Sequence, residues 1–231
     1  MPGKKWLYKA AVILLFFSPV YCKAEDDANA MFYGMIKKFR SLQSFSAKYE
    51  GMDYTSSQKF NVEAYSEQPD KTREELHCSS YDHITVFDGN TKWEYRSDLK
   101  LVVKSCKQET LVCGLFPYKP ISVPVKFYGS EVVNGEDCYI LEEDFSQAFE
   151  TVPDTMKSND VPKVFKIRYW FSKDKGITMK MQEYDADGTL LLESYILPNT
   201  YFTNIPLPEE KFEFNPPDGA RIEDYCKEGA S

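Results

Sequence analysis

The sequence predicts a mainly β protein with one N-terminal helix, in which a meandering antiparallel sheet buries one apolar face under a cover. Three observations lead there. From Ser44 onward, short segments alternate apolar and polar residues with a period of two, as half-buried strands do. Turn pairs such as Asn134-Gly135 and Asp187-Gly188 separate these segments. A three-and-four residue period occurs near the start, where Met31, Met35, Ile36, Phe39 and Leu42 recur on one helical face from Asp27 to Leu42. Asp26 or Asp27 is placed to cap that helix, since a carboxylate there accepts orphan backbone amides.

The elements follow in order. "SFSAKYEGMDY" enters the sheet with Phe45, Ala47 and Tyr49 on one side. Strands are then expected in "QKFNVEAYSEQ", "KTREELHC", "HITVFDG", "TKWEY", "LKLVVKSC", "VKFYGSEVVNG", "DCYILEEDF", "VFKIRYWFSKDKG", "ITMKMQEYDADG", "TLLLESYI" and "KFEFNPP". The proline-marked stretch from Lys107 to Val123 is read as a short second element, and Thr151 to Pro162 as an exposed loop.

Lys4 and Lys5 precede an apolar run from Ala10 to Phe17 and then Pro19, the layout of an export leader. That run is too short to span a bilayer. Cys22 and Ala24 set the expected cleavage after Ala24, so residues 1–24 read as a signal peptide and 25–231 as one domain, destined for the periplasm. The alternative makes Cys22 the lipidated first residue of a membrane-anchored lipoprotein, for which the bulky Tyr21 is a poor neighbour.

Without the leader and its four lysines, 24 basic residues face 36 acidic ones, a formal charge of -12 that repels polyanions and excludes nucleic acid as a partner. Five cysteines remain, at positions 78, 106, 113, 138 and 226. Export permits disulfides, and an odd number leaves one unpaired within the chain. A local Cys106–Cys113 staple and a tail tied down by Cys226 are both compatible with the spacing, and Cys78 is expected in a disulfide at a turn.

His77, Cys78, Asp82 and His83 are atom types that ligate zinc, but strand alternation across a turn does not converge them, so no metal is expected. No nucleophile elbow or HExxH helix is present, and the acids show no spacing that pairs a nucleophile with a base. No enzyme activity and no cofactor are expected.

The helix followed by "LQSFSAKYEG", "QPDKTREEL", "VFDGNTKWEYRSDLKLVV", "YDADGTLLLESY" and "FEFNPPDGARI" resembles the periplasmic lipoprotein carrier family LolA and its wider relatives. The paired "FDGxxxWxY" and "FxFxPPDGA" segments are its most specific pieces. The resemblance implies an incomplete antiparallel β-barrel, a half-barrel covered by the N-terminal helix and short helical elements, with an apolar interior that receives acyl chains. It implies an acylated lipoprotein or lipid as cargo, passed from an inner-membrane export complex to an outer-membrane acceptor. Phe45, Tyr49, Phe87, Trp93 and Tyr95 are then candidate cavity residues, and Met31, Met35 and Phe39 the ligand side of a helical lid. The carrier's lid-holding arginine maps to Arg73, although Thr72 and Glu74 depart from its usual neighbours. Relatives that sense or scaffold, rather than transport, supply the alternative function: binding of an envelope protein.

Overall fold

The computed structural model describes residues 18–106, 123–146 and 164–226. Stretches 107–122 and 151–162, with Cys113, lie outside the described residues. A helix α1 (Ser18–Arg40) leads into β1 (Ser44–Asp53), β2 (Gln58–Glu67), β3 (Lys71–Cys78), β4 (Asp82–Asp88), β5 (Thr91–Arg96) and β6 (Leu101–Cys106). The second run is β7 (Val125–Val133), β8 (Glu136–Asp144), β9 (Lys166–Ser172), β10 (Thr178–Tyr184) and β11 (Leu190–Ile196), followed by the short β12 (Phe202–Thr203), a 3-10 turn (Glu209–Phe212) and β13 (Arg221–Asp224).

All strands join one sheet of order β13-β6-β5-β4-β3-β2-β1-β11-β10-β9-β8-β7, with β12 paired to β1. Two antiparallel meanders therefore fan out from a central seam, where β1 pairs with β11. The ends, β13 and β7, do not meet, so the sheet is an open, incomplete barrel with one α-helix among the described residues. This is the architecture expected from the sequence.

Alternation and tight turns set the strands. Asn134 and Gly135 both have positive φ (51° and 82°), which the right-handed twist of a two-residue hairpin requires. At the other expected hairpin only Gly188 has positive φ, and the Asp185 carboxylate closes the turn by accepting the Asp187 and Thr189 amides at 3.0 and 2.7 Å.

Paired residues in neighbouring strands project to the same side, so the register defines two faces. The helix side carries Phe45, Ala47 and Tyr49 of β1, Phe60, Val62 and Ala64 of β2, and Tyr169, Met181 and Ile196 of the second meander. Ala28, Phe32 and Met35 of α1 bury against that side. The Phe32 ring lies 5.7 Å from Tyr169 and 5.6 Å from Phe171, and Phe39 meets Phe45 edge-on at 5.3 Å. Gly176 lets the β9–β10 turn touch the helix: a Cβ there would sit 2.1 Å from the Met35 carbonyl oxygen.

Four expectations are corrected. The helix begins at Ser18 rather than Asp27, so Asp27 sits within it and caps nothing. "KFEFNPP" forms the end of the 3-10 turn and an irregular strap rather than a strand, because its apolar residues pack on the sheet's surface instead of pairing with its edge. Cys78 is a free thiol, since among the described residues the β3–β4 turn places no other cysteine beside it. Cys106 bonds Cys226, not Cys113, because β13 pairs in parallel with β6 and brings the tail to Cys106.

Candidate functional site

The register decides where each candidate residue goes. Met35, Phe45 and Tyr49 are buried together under α1, at 5%, 1% and 2% exposure, with Met31 and Phe39 half-buried beside them. Phe87 projects to the helix side as well, but further along the sheet, in a row with Thr72 and Lys92. Trp93 and Tyr95 pair with Val86 and Ile84 and so project to the opposite side. There the strap covers Trp93: Phe214 stacks on it at 5.6 Å, and the Lys104 ammonium lies 5.1 Å from its ring.

Arg73 is on that opposite face too. It donates to the carbonyls of Lys211 and Glu213 at 3.3 and 3.0 Å and pairs with Glu75, which anchors the strap to β3. Its planar fork thus holds backbone acceptors of the C-terminal strap.

The helix side of β3 to β6 is mixed in character. Leu76, Phe87, Leu101 and Val103 share it with Glu74, Lys92, Glu94 and Arg96. His77 and Cys78 are consecutive and point to opposite faces, and the His77 imidazole pairs with Asp82 at 2.8 Å. Among the described residues no group of three or more His, Cys, Asp or Glu is placed to hold a metal.

Where the helix cover ends, a hollow of about 210 Å³ opens on the helix side, lined by Asp53, Gln58, Phe60, Leu76, Cys78, Tyr81 and Leu192 with Ser56 and Ser80. Its floor is apolar. Its rim is polar but internally satisfied. The Asp53 carboxylate accepts from the Thr55 amide at 2.8 Å and from the Thr55 and Ser56 hydroxyls at 2.7 Å each. Burial raises the Asp53 pKa, but these bonds outweigh it and hold the carboxyl below its ordinary range. Gln58 Oε1 accepts from the Ser80 hydroxyl at 2.7 Å. Such a basin suits a hydrocarbon segment with its polar end toward the rim.

Two carboxyls lie on the helix side between β8 and β10. Glu143 and Glu183 flank Ile167 in one row. Burial raises both, Glu143 to about 7 despite the bond from the Tyr169 hydroxyl at 3.0 Å, and Glu183 with the added charge of Asp53. They leave this interior less polar than its sequence suggests.

Of the hollow's residues, sequence reasoning selected none as a cavity residue, and singled out Cys78 only as a zinc-type or disulfide cysteine. Alternation marks Phe60, Leu76 and Leu192 as inward-facing candidates, yet their meeting depends on the β1–β11 seam, which joins strands about 140 residues apart in sequence.

No family model and no curated protein matches the chain. Solved structures do. An uncharacterized conserved protein from Thermus thermophilus superposes with a TM-score of 0.58 at 13% identity, over 86% of this chain and 99% of that one. MucB matches with a TM-score of 0.52 at 14% identity over 82% of this chain, which spans 63% of MucB. The complex of Pseudomonas aeruginosa MucA and MucB matches with a TM-score of 0.51 at 14% identity, over 82% of this chain and 61% of that one. At these identities the shared property is the fold. LolA superfamily protein NE2245 from Nitrosomonas europaea is also among the matches, at a TM-score of 0.36 and 12% identity over 81% of this chain and 97% of that one.

Proposed function

We propose that this chain is a non-enzymatic binding protein of the bacterial cell envelope that holds an acyl chain of a lipid or lipoprotein against the helix side of its half-barrel. The observation that carries this reading is the apolar-floored hollow of about 210 Å³ at the uncovered end of the core. Each methylene transferred there from water contributes roughly 0.8 kcal/mol, so a short run of them binds appreciably before ordering costs. Asp53 at the rim disfavours an anionic group beside it, so the lipid's neutral or cationic part faces that carboxylate.

A second reading, binding of an envelope protein, is favoured by one observation. The space directly beneath α1 is packed with Phe32, Phe39, Phe45, Tyr169 and Phe171, whose ring contacts run from 5.2 to 5.7 Å. MucB, which shares the fold, has been solved with MucA.

Native mass spectrometry of the protein purified from a bacterial envelope, followed by organic extraction, separates the two. A stoichiometric acylated ligand is the expected result. A bare protein mass that persists after incubation with phospholipid and lipopeptide would falsify acyl binding and leave the protein-partner reading.

A further inference from the structure

The inner end of the hollow is closed by one ring. Phe60 lines the hollow and is 7% exposed. Along the strands, Asp53, Gln58 and Leu192 form the row on its outer side, and Tyr49, Val62 and Ile196 the row on its inner side, at 2%, 2% and 0% exposure. The ring leans from β2 across the backbone of β1. A Cβ on Gly51 would lie 2.2 Å from the Phe60 Cζ and 2.6 Å from its Cε2, so the ring occupies the space a side chain at position 51 would fill.

The ring is seated closely on the Gly51 backbone. Gly51 offers it a smooth surface with no side chain to mesh with. Ser194 pairs with Gly51 in the register, is 1% exposed, and its hydroxyl has no hydrogen-bond partner. An unpaired buried hydroxyl costs stability, so this part of the core is not fully optimised.

We propose that Phe60 sets the depth of the hollow and hence the length of acyl chain it accepts: the ring closes the inner end, and shortening it extends the hollow toward Tyr49 and Val62 by the volume the ring fills. This rests on the acyl-binding reading above. Phe60 is a specificity-determining residue in it, whereas Leu76 and Leu192 form fixed side walls.

The test is calorimetric titration of the full-length protein, its Phe60→Leu variant and its Phe60→Ala variant with 1-monoacylglycerols of stepwise increasing chain length, each below its micelle concentration. For the unsubstituted protein, affinity rises about fourfold per added methylene and levels off once the hollow is full. The plateau is expected at longer chains in Phe60→Leu and longer still in Phe60→Ala. Should circular dichroism show Phe60→Ala unfolded, the Phe60→Leu plateau decides. A plateau at the same chain length in every folded variant overturns the role of Phe60 while leaving acyl binding intact. Absence of binding by the unsubstituted protein at every length overturns both together.

Discussion

Glu143 shows how a single buried carboxyl shapes the protein's response to pH. It is 9% exposed, it accepts the Tyr169 hydroxyl at 3.0 Å, and burial lifts its pKa to about 7. In the unfolded chain a glutamate titrates near about 4.3. Between those values the folded state holds a proton that the unfolded state has released. The stabilisation linked to that proton is therefore complete below about pH 4.3 and lost as pH rises through about 7, a change on the order of 3 kcal/mol. Urea unfolding at about pH 5 and about pH 8 is expected to show this fall, and Glu143→Gln should flatten it. An identical pH dependence in the variant would mean that the carboxyl is solvated in the folded state. Nothing in "DCYILEEDF" distinguishes Glu143 from Glu142. Alternation says only that they face opposite ways. The register shows that Glu142, 2% exposed, meets Arg168 at 2.7 Å on the outer face, while Glu143 turns inward with no cation paired to it among the described residues.

Among the elements, the strands were the most legible because a period of two in short segments has few competing explanations. Ten of the expected strands after the first, from "QKFNVEAYSEQ" to "TLLLESYI", correspond to β2 through β11. The C-terminal region was less so. β12 is two residues long and β13 four, too short for alternation to register, and Phe212 and Phe214 imitate a strand while packing on a surface. The same strap explains why Trp93 looked like a cavity residue: an aromatic face needs an apolar cover, and local sequence does not say which side supplies it. The strap is tethered where β13 meets β6, through the Cys106–Cys226 disulfide across 120 residues. Cys106→Ser with Cys226→Ser is expected to lower stability by about 2–4 kcal/mol in denaturant titration. A change below about 0.5 kcal/mol, the scale of ordinary surface substitutions, would show that Arg73 and the parallel pairing hold the strap unaided.

For the whole molecule, the sequence revealed the class of architecture but not its centre. Which strands pair across long intervals depends on turn geometry and on a shared core, neither of which local pattern encodes. The seam between β1 and β11 lies at the middle of the order, beneath the helix, and its residues include Tyr49 and Ile196 at 2% and 0% exposure. Edge strand β7 is exposed along most of its length. Hydrogen exchange should therefore be slowest at the amides of β1, β10 and β11 and fastest at the outer amides of β7 and β13. Uniform protection across all strands would show that the sheet opens only as one unit.

That central seam also fixes the order in which the chain can become solid. The first meander, β1 to β6, contributes Phe45, Tyr49 and Val62 to a core whose remaining walls include Leu141, Phe171, Met179 and Ile196. A ribosome that has released only the first half has made the helix and strands but not most of the walls they bury against. Until β11 arrives, loop closure over roughly 140 residues must precede the decisive contacts, so folding is late and slow relative to synthesis. A newborn chain of this design remains pliable for as long as its last strands are missing, which is the state in which a polypeptide can still be threaded through a narrow pore.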